Sequence, residues 1–536
     1  MAASQLAPAT AATSNRVARC FALRTGMAAQ DAFVPAPAQI DNGDEARYSD
    51  KCGTYTKGIK QAGIGRVDLE AYRTFKRALE SGDPADFAAI MVGAPGAGTL
   101  NGPQGGLAFD LACLDSSQFT SPPAPALASE EYAAELVEMY WASLLRDVPF
   151  TDYPSNAIAA QAANELSSLA SYKGPRDPVS QKVTPRYLFR GGLAGGTFFG
   201  ETTGPYLSQF LVKSACMGAL PIEQKYITFK PGIDYMLDPA TFLETQNGAP
   251  TGLQLETHTP RYLHNGRGLA AFTHNDVLYQ AYFSALLVLN TINGRNCAVG
   301  DSAAPLNPGN PYVGSKTQNG FGTFGGPDVA STLASVASEA LKTVWYQKWF
   351  VHLRHRPEAG GAIIYLNKTG QGNAVEGRLS PTILDSKAVE SGFASHKSYF
   401  LSQAFPEGSP KHPAYPTGHG TVAGACITVL KFFYDGGFII PNPQVPSSDG
   451  TKLESYAGSG AHELTVNGEL HKLAHNISFG HGIHAGIHWR SDTDTSIQLG
   501  EAVALSVLRD RAQTYNEKFT VKLTKVDGST AVVSNE

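Results

Sequence analysis

The feature that most constrains this chain is a set of apolar stripes at helical spacing, separated by turn-rich segments. Ser129 followed by Glu130 and Glu131 reads as a capped helix start. Behind it, Tyr132, Leu136, Met139, Tyr140 and Leu144 recur at three- and four-residue steps. Residues 329–350 repeat the pattern with Val329, Leu333, Val336, Ala340 and Val344. So do 421–433 (Val422, Cys426, Val429, Phe433) and 496–512 (Leu499, Val503, Val507). Residues 274–290 are a further apolar helix candidate. Strand signals are confined to 225–229 and 519–523. With 55 glycines and 33 prolines, long loops must separate these elements. No fixed-period repeat occurs. The pattern predicts a mainly α fold, two four-helix bundles with long loops and a few small strands. The expected organisation is a flexible amino-terminal arm at 1–45, an amino-terminal helical part at 46–300 and a carboxy-terminal helical part at 301–536.

Charge and composition remove several function classes. Lys and Arg number 42 against 47 Asp and Glu, a net charge of −5, which does not fit a nucleic-acid partner. The longest apolar run, 285–289, falls far short of the roughly 20 residues that a bilayer span needs, so no membrane partner is expected. The hydrophobic fraction of 42% is too high for a disordered chain. The cysteines (Cys20, Cys52, Cys113, Cys216, Cys297, Cys426) are scattered without a CxxC pair and read as unbridged thiols. The first residues lack a secretory apolar core, though Arg16, Arg19 and Arg24 faintly suggest a transit peptide. A frayed arm and an intracellular location are expected.

Three segments carry candidate chemistry. In the first, Lys348 and Arg356 lie at the end of a predicted helix and the start of a loop, and Pro357 should stop the helix. A lysine point charge beside a forked guanidinium suits an oxyanion. Taken alone, the segment also fits a solvated basic helix end. The second segment runs Lys411-His412-Pro-Ala-Tyr-Pro-Thr417-Gly418-His419-Gly into an apolar helix. A helix amino terminus aims N–H groups at an anion, Thr417 adds a hydroxyl, and His419 is a candidate acid or base. An ordinary threonine cap with a surface histidine reads equally well. The third segment, 476–492, holds His481, His484, His488 and Arg490 before a capped helix. A neutral His488 imidazole could bind a metal or oxo-metal centre, or simply be a buried structural histidine.

Together, Lys-x7-Arg-Pro, Pro-Thr-Gly-His and Gly-Ile-His-x-x-Ser-Asp, in that order, resemble the vanadium-dependent haloperoxidases and, more distantly, the acid phosphatases that share their anion site. Residues 65–72, 204–210 and 465–470 also resemble the bromoperoxidase branch. The resemblance implies that His488 is the protein ligand to vanadium. It implies that Lys348, Arg356, the Thr417 hydroxyl and the Gly418 amide hold the equatorial oxygens of vanadate. His419 would bond the apical oxygen and act as acid and base, and Trp345 and His412 would border the approach of halide. Thr417 stands where serine is usual. The implied activity is oxidation of halide, bromide or iodide favoured, by hydrogen peroxide to hypohalous acid, which halogenates a small organic acceptor. Lys348 would make a peroxide oxygen more electrophilic. A homo-oligomer, dimer or larger, is implied, and calcium is a further cofactor of the family that no loop here places.

One departure matters. The family's third cation is an arginine six residues before the ligand histidine, and here that position is Gly482. Losing one charge-assisted hydrogen bond, worth about 1.5–3 kcal/mol, would weaken vanadate by about ten- to a hundredfold. His481, His484 or Arg490 is expected to fill the space. If a protonated histidine does so, affinity should fall as pH rises through its pKa. The rival readings are a phosphomonoester hydrolase with His488 as nucleophile, a divalent-metal protein using His471, His475, His481, His484 and His488, and a non-catalytic storage protein.

Overall fold

The helix Gly418–Phe433 is buried at every residue except His419, as a segment apolar on all sides requires. It is the hub of a four-helix group with Gly326–Tyr346, Val466–Phe479 and Arg490–Thr514. A second group gathers on Glu130–Leu145, against which Ala157–Ser168, Pro357–Lys368 and Lys387–His396 pack. This computed structural model describes residues 15–96, 99–192, 197–252, 256–274, 276–293, 303–371 and 377–536. Residues 1–14 and Cys297 lie outside the described residues. One continuous apolar core runs through both groups, with Leu136, Ile363, Val389, Val429 and Val503 all in it.

Glycine sets how closely the two central helices cross. A Cβ on Gly424 would lie 1.9 Å from the Ile497 carbonyl oxygen, and one on Gly500 would lie 1.8 Å from that of Thr421. Each glycine therefore lets one backbone touch the other, which offsets its poor helix propensity.

The structure follows the apolar stripes and departs from the reading in four places. Ser129 caps its helix, its hydroxyl accepting from the Tyr132 amide at 3.1 Å. The run at 274–290 is two helices, Gly266–His274 and Gln280–Thr291, and the stretch between them carries Asp276. Residues 225–229 form no strand. Tyr226 and Phe229 make isolated bridges to Arg261 and Glu256, and Pro260 has no N–H to extend that ladder. Thr520–Thr524 does form a strand, paired with Thr530–Ser534. The expected frayed arm contains a helix, Arg16–Ala32, with no buried residue, resting on the last long helix. Its alanines, arginines and methionine are strong helix formers even without a core to face. Cys20, Cys52, Cys113 and Cys426 are free thiols, whereas Cys216 is disulfide-bonded, against the unbridged reading.

Two π turns shape the ends of the bundle. Gln347–His352 follows the Gly326–Tyr346 helix, and Gly480–His484 follows Val466–Phe479. Such turns hold one extra residue per turn and concentrate at functional sites. Among the described residues no helix is long and apolar enough to cross a membrane.

Candidate active site

Lys348 sits on the first π turn and is fully buried. Its ammonium donates to the carbonyls of Pro413 and Ala414 at 2.7 and 2.8 Å. Leu353, in the left-handed region at φ 44°, ends the turn. Arg356 then takes extended backbone geometry, and Pro357 opens the next helix rather than merely stopping the last. The Arg356 guanidinium donates through Nε to the His412 carbonyl (2.8 Å) and through Nη1 to the Ile487 carbonyl (2.8 Å). Nη1 also meets His488 Nε2 at 2.8 Å, and Nη2 meets the His412 ring at 3.0 Å.

Among the described residues neither cation touches a carboxylate, which sets both apart from their neighbour Arg354. Arg354 bonds Glu135 and Asp492 at 2.8 and 2.7 Å. Burial works against its charge, but those two carboxylates hold its pKa above the usual value. For Lys348, burial and then the Arg356 charge push the amine well below its usual range. Burial brings Arg356 down to about 10. Two buried cations that no described carboxylate contacts are costly even with Asp492 nearby, and an anion placed between them would relieve both.

The imidazoles close the site. His488 faces Asp492 Oδ2 through Nδ1 at 2.9 Å. Asp492 also accepts from the Trp489 amide and from Arg354, so it is fixed. A carboxylate there makes Nδ1 the protonated nitrogen and leaves the Nε2 lone pair for the cavity side. Thr417 is the residue before the Gly418–Phe433 helix. Its buried hydroxyl caps nothing and has no partner among the described residues. The amides of that helix's first turn have no carbonyl of their own helix to bond. Trp345 ties the segments together: its ring lies 4.7 Å from that of His412, and a Cβ on Gly418 would be 3.3 Å from it.

His419 places Nε2 3.0 Å from Asp276 Oδ1 and stacks on His481 at 3.7 Å. The His481 ring is 5.5 Å from His488, and its buried Nδ1 has no partner among the described residues. His481 thus lies between His419 and His488. A Cβ at Gly482 would be tightly placed, 3.0 and 3.1 Å from the His488 and Thr493 side chains. The other two candidates are engaged elsewhere. His484 bonds the Tyr206 hydroxyl at 3.0 Å, and Arg490 pairs with Glu138. Burial, then the charges of His419 and His488, hold His481 well below the usual imidazole range. Its charged form is therefore disfavoured in the anion-free protein. Burial and then Arg356 do the same to His412 and His488. Among the described residues no three or more His, Cys, Asp or Glu side chains gather to hold a metal ion, so the five-histidine segment forms no such cluster.

Sequence reasoning assigned no role to Asp276, Arg354 or Asp492. Asp492 had a signal, since it stands one helical turn after His488. Asp276 had none, because only the fold brings it to His419.

Comparison with known proteins decides the family. Residues 329–517 match a family model described as the VCPO second helical-bundle domain. The vanadium-dependent bromoperoxidase of Ascophyllum nodosum is 34% identical over 509 residues, spanning 90% of this chain and 86% of that protein. That of Corallina officinalis is 33% identical over 556 residues, spanning 89% and 90%. The chain belongs to the vanadium-dependent bromoperoxidases. The solved second vanadate-dependent bromoperoxidase (AnII) of Ascophyllum nodosum, a homohexamer, superimposes with a TM-score of 0.90 at 27% identity, over 99% of this chain and 93% of that one. This bromoperoxidase is therefore an enzyme that oxidises halide with hydrogen peroxide, built on the mainly α bundle fold that the stripes predict.

Proposed function

We propose that this bromoperoxidase holds vanadate among Lys348, Arg356, Thr417, Gly418, His419 and His488. The observation that carries the reading is the pair of buried cations with no carboxylate contact among the described residues, beside an unpartnered hydroxyl and an imidazole whose Nε2 lone pair is held only by the Arg356 guanidinium. That donor set fits an oxyanion with one site for a nitrogen ligand, namely His488 Nε2. The chemistry supplied by such a bound group is Lewis-acid polarisation of hydrogen peroxide.

The chain's own residues do the rest. Lys348 and Arg356 neutralise and orient, with their ammonium and guanidinium locked by main-chain carbonyls before any ligand arrives. Asp276 accepts from His419 Nε2, so the proton that His419 takes from hydrogen peroxide is held at Nδ1. His481 stacks on that ring and fixes its plane. His412 and Trp345 form the wall where halide approaches, and a small organic acceptor takes the oxidised halogen. The enzyme works as a homo-oligomer, a reading supported by the hexameric AnII structure.

Reconstitution tests this. Apo-protein loaded with orthovanadate should brominate a phenolic dye only when bromide and hydrogen peroxide are both present. Turnover of nitrophenyl phosphate without bromination would instead make the site a phosphatase.

A further inference from the structure

A second cavity, of about 320 Å³, lies behind the Gly480–His484 π turn. The turn separates it from the oxyanion cluster: His481 faces the cluster, whereas His484 contacts the cavity wall through Tyr206. The volume falls at the lower end of the range for small-molecule sites, roughly 300–1,000 Å³. Its walls are ring faces. Phe150 and Tyr206 stack at 3.9 Å, Tyr153 meets Phe150 edge-on at 5.6 Å, and Tyr456 adds a further ring. Four prolines fill the gaps between them without adding a flexible side chain.

The wall carries two arginines and one unpartnered hydroxyl. Arg190 is 3% exposed and lies over the Tyr206 ring at 5.0 Å. Its Nε and Nη1 donate to the carbonyls of Arg186 and Glu201, and its Glu201 carboxylate contact is long, at 3.5 Å. Nη2 makes no hydrogen bond among the described residues. Arg186 stands exposed at the rim, with one bond to the Thr202 carbonyl. The Tyr153 hydroxyl is buried and has no partner among the described residues. No carboxylate is among the described residues that line the cavity.

We propose that this cavity is a binding site for a one-ring aromatic carboxylate, its ring among Phe150, Tyr153 and Tyr206 and its acid group on Arg186 and Arg190. The rings supply area and stacking, and the forked guanidinium groups supply the matching charge. A buried tyrosine hydroxyl left unpaired is costly, and a polar group of a ligand that reached it would relieve that cost. The site stands apart from the halide chemistry and does not depend on the vanadate reading.

Calorimetric titration of 4-hydroxybenzoate into the full-length protein, with saturating orthovanadate and no peroxide, tests it. Saturable one-to-one binding is expected. Arg186→Ala should weaken it by about tenfold, the equivalent of one charge-assisted contact, and 4-hydroxybenzamide should bind weaker by a similar factor. Tyr153→Phe should also weaken it while leaving bromination unchanged. Absence of saturable binding up to about 10 mM, well beyond the affinity of a two-contact site, would overturn the proposal. So would equal affinity for acid and amide, or wild-type affinity in both variants.

Discussion

At the residue scale, two kinds of buried charge decide what the molecule does. Arg354 and Arg490 are paired with carboxylates and hold the structure, whereas Lys348 and Arg356 touch no carboxylate among the described residues, which under the proposed reading leaves them to a bound anion. His488→Ala should abolish vanadate-dependent bromination while circular dichroism shows an intact fold; retained activity would defeat its ligand role. Asp276→Asn should lower turnover by roughly ten- to a hundredfold, the usual weight of a hydrogen bond that orients an acid–base group, with little change in vanadate affinity. Histidines outside the cluster set an acid limit. Burial, with Arg146 beside it, holds His484 down to about 3, and burial holds His355 at about 4. Unfolded histidines titrate near about 6.5, so below that pH the unfolded chain binds more protons than the folded one. Stability should therefore fall as pH drops from about 6.5 towards 4, by up to the order of 3 kcal/mol per histidine, and be flat for these groups above that window. Urea midpoints between pH 7.5 and 4.5 measure this, and His484→Gln should flatten the slope. Residue by residue, Lys348, Arg356, Thr417 and His488 could be picked out because they flank helix ends whose boundaries the stripes and Pro357 mark. Asp276 could not, since its contact with His419 depends on tertiary packing.

At the element scale, helix existence was readable and turn type was not. Apolar spacing reports which face is buried, but it does not distinguish an α turn from a π turn. The Gly480–His484 turn accommodates one residue more than an α turn, and no apolar stripe announces it. The arm at 16–32 was misread for a related reason: its alanine content signals helix propensity even where nothing is buried. The crossing of Gly418–Phe433 with Arg490–Thr514 makes its own prediction. Gly500→Ala should destabilise by about 1–3 kcal/mol or more through overpacking against the Thr421 carbonyl, despite the better helix propensity of alanine. A denaturation midpoint at or above wild type would show that the two helices can separate without cost.

At the scale of the whole molecule, a single apolar core spans both helix groups, and the site lies where loop 411–417, two π turns and the start of the central helix meet. Much of the binding geometry is therefore set before a ligand arrives, because Lys348 and Arg356 are anchored by main-chain carbonyls. The protomer has a mass of 56.9 kDa, so a homo-oligomer should scatter light at a multiple of that value, and a monomeric mass at micromolar concentration would refute the assembly reading. The central claim is that two carboxylate-free cations and one imidazole form a pocket for a single oxyanion. Equilibrium titration of orthovanadate into the wild-type apo-protein, Arg356→Gln and His488→Ala addresses it most directly. One vanadate per chain in the wild type, weakened by about a hundredfold or more in both variants, is the predicted result, since each loses a direct contact to a buried anion. Vanadate binding of undiminished strength in both variants would contradict it.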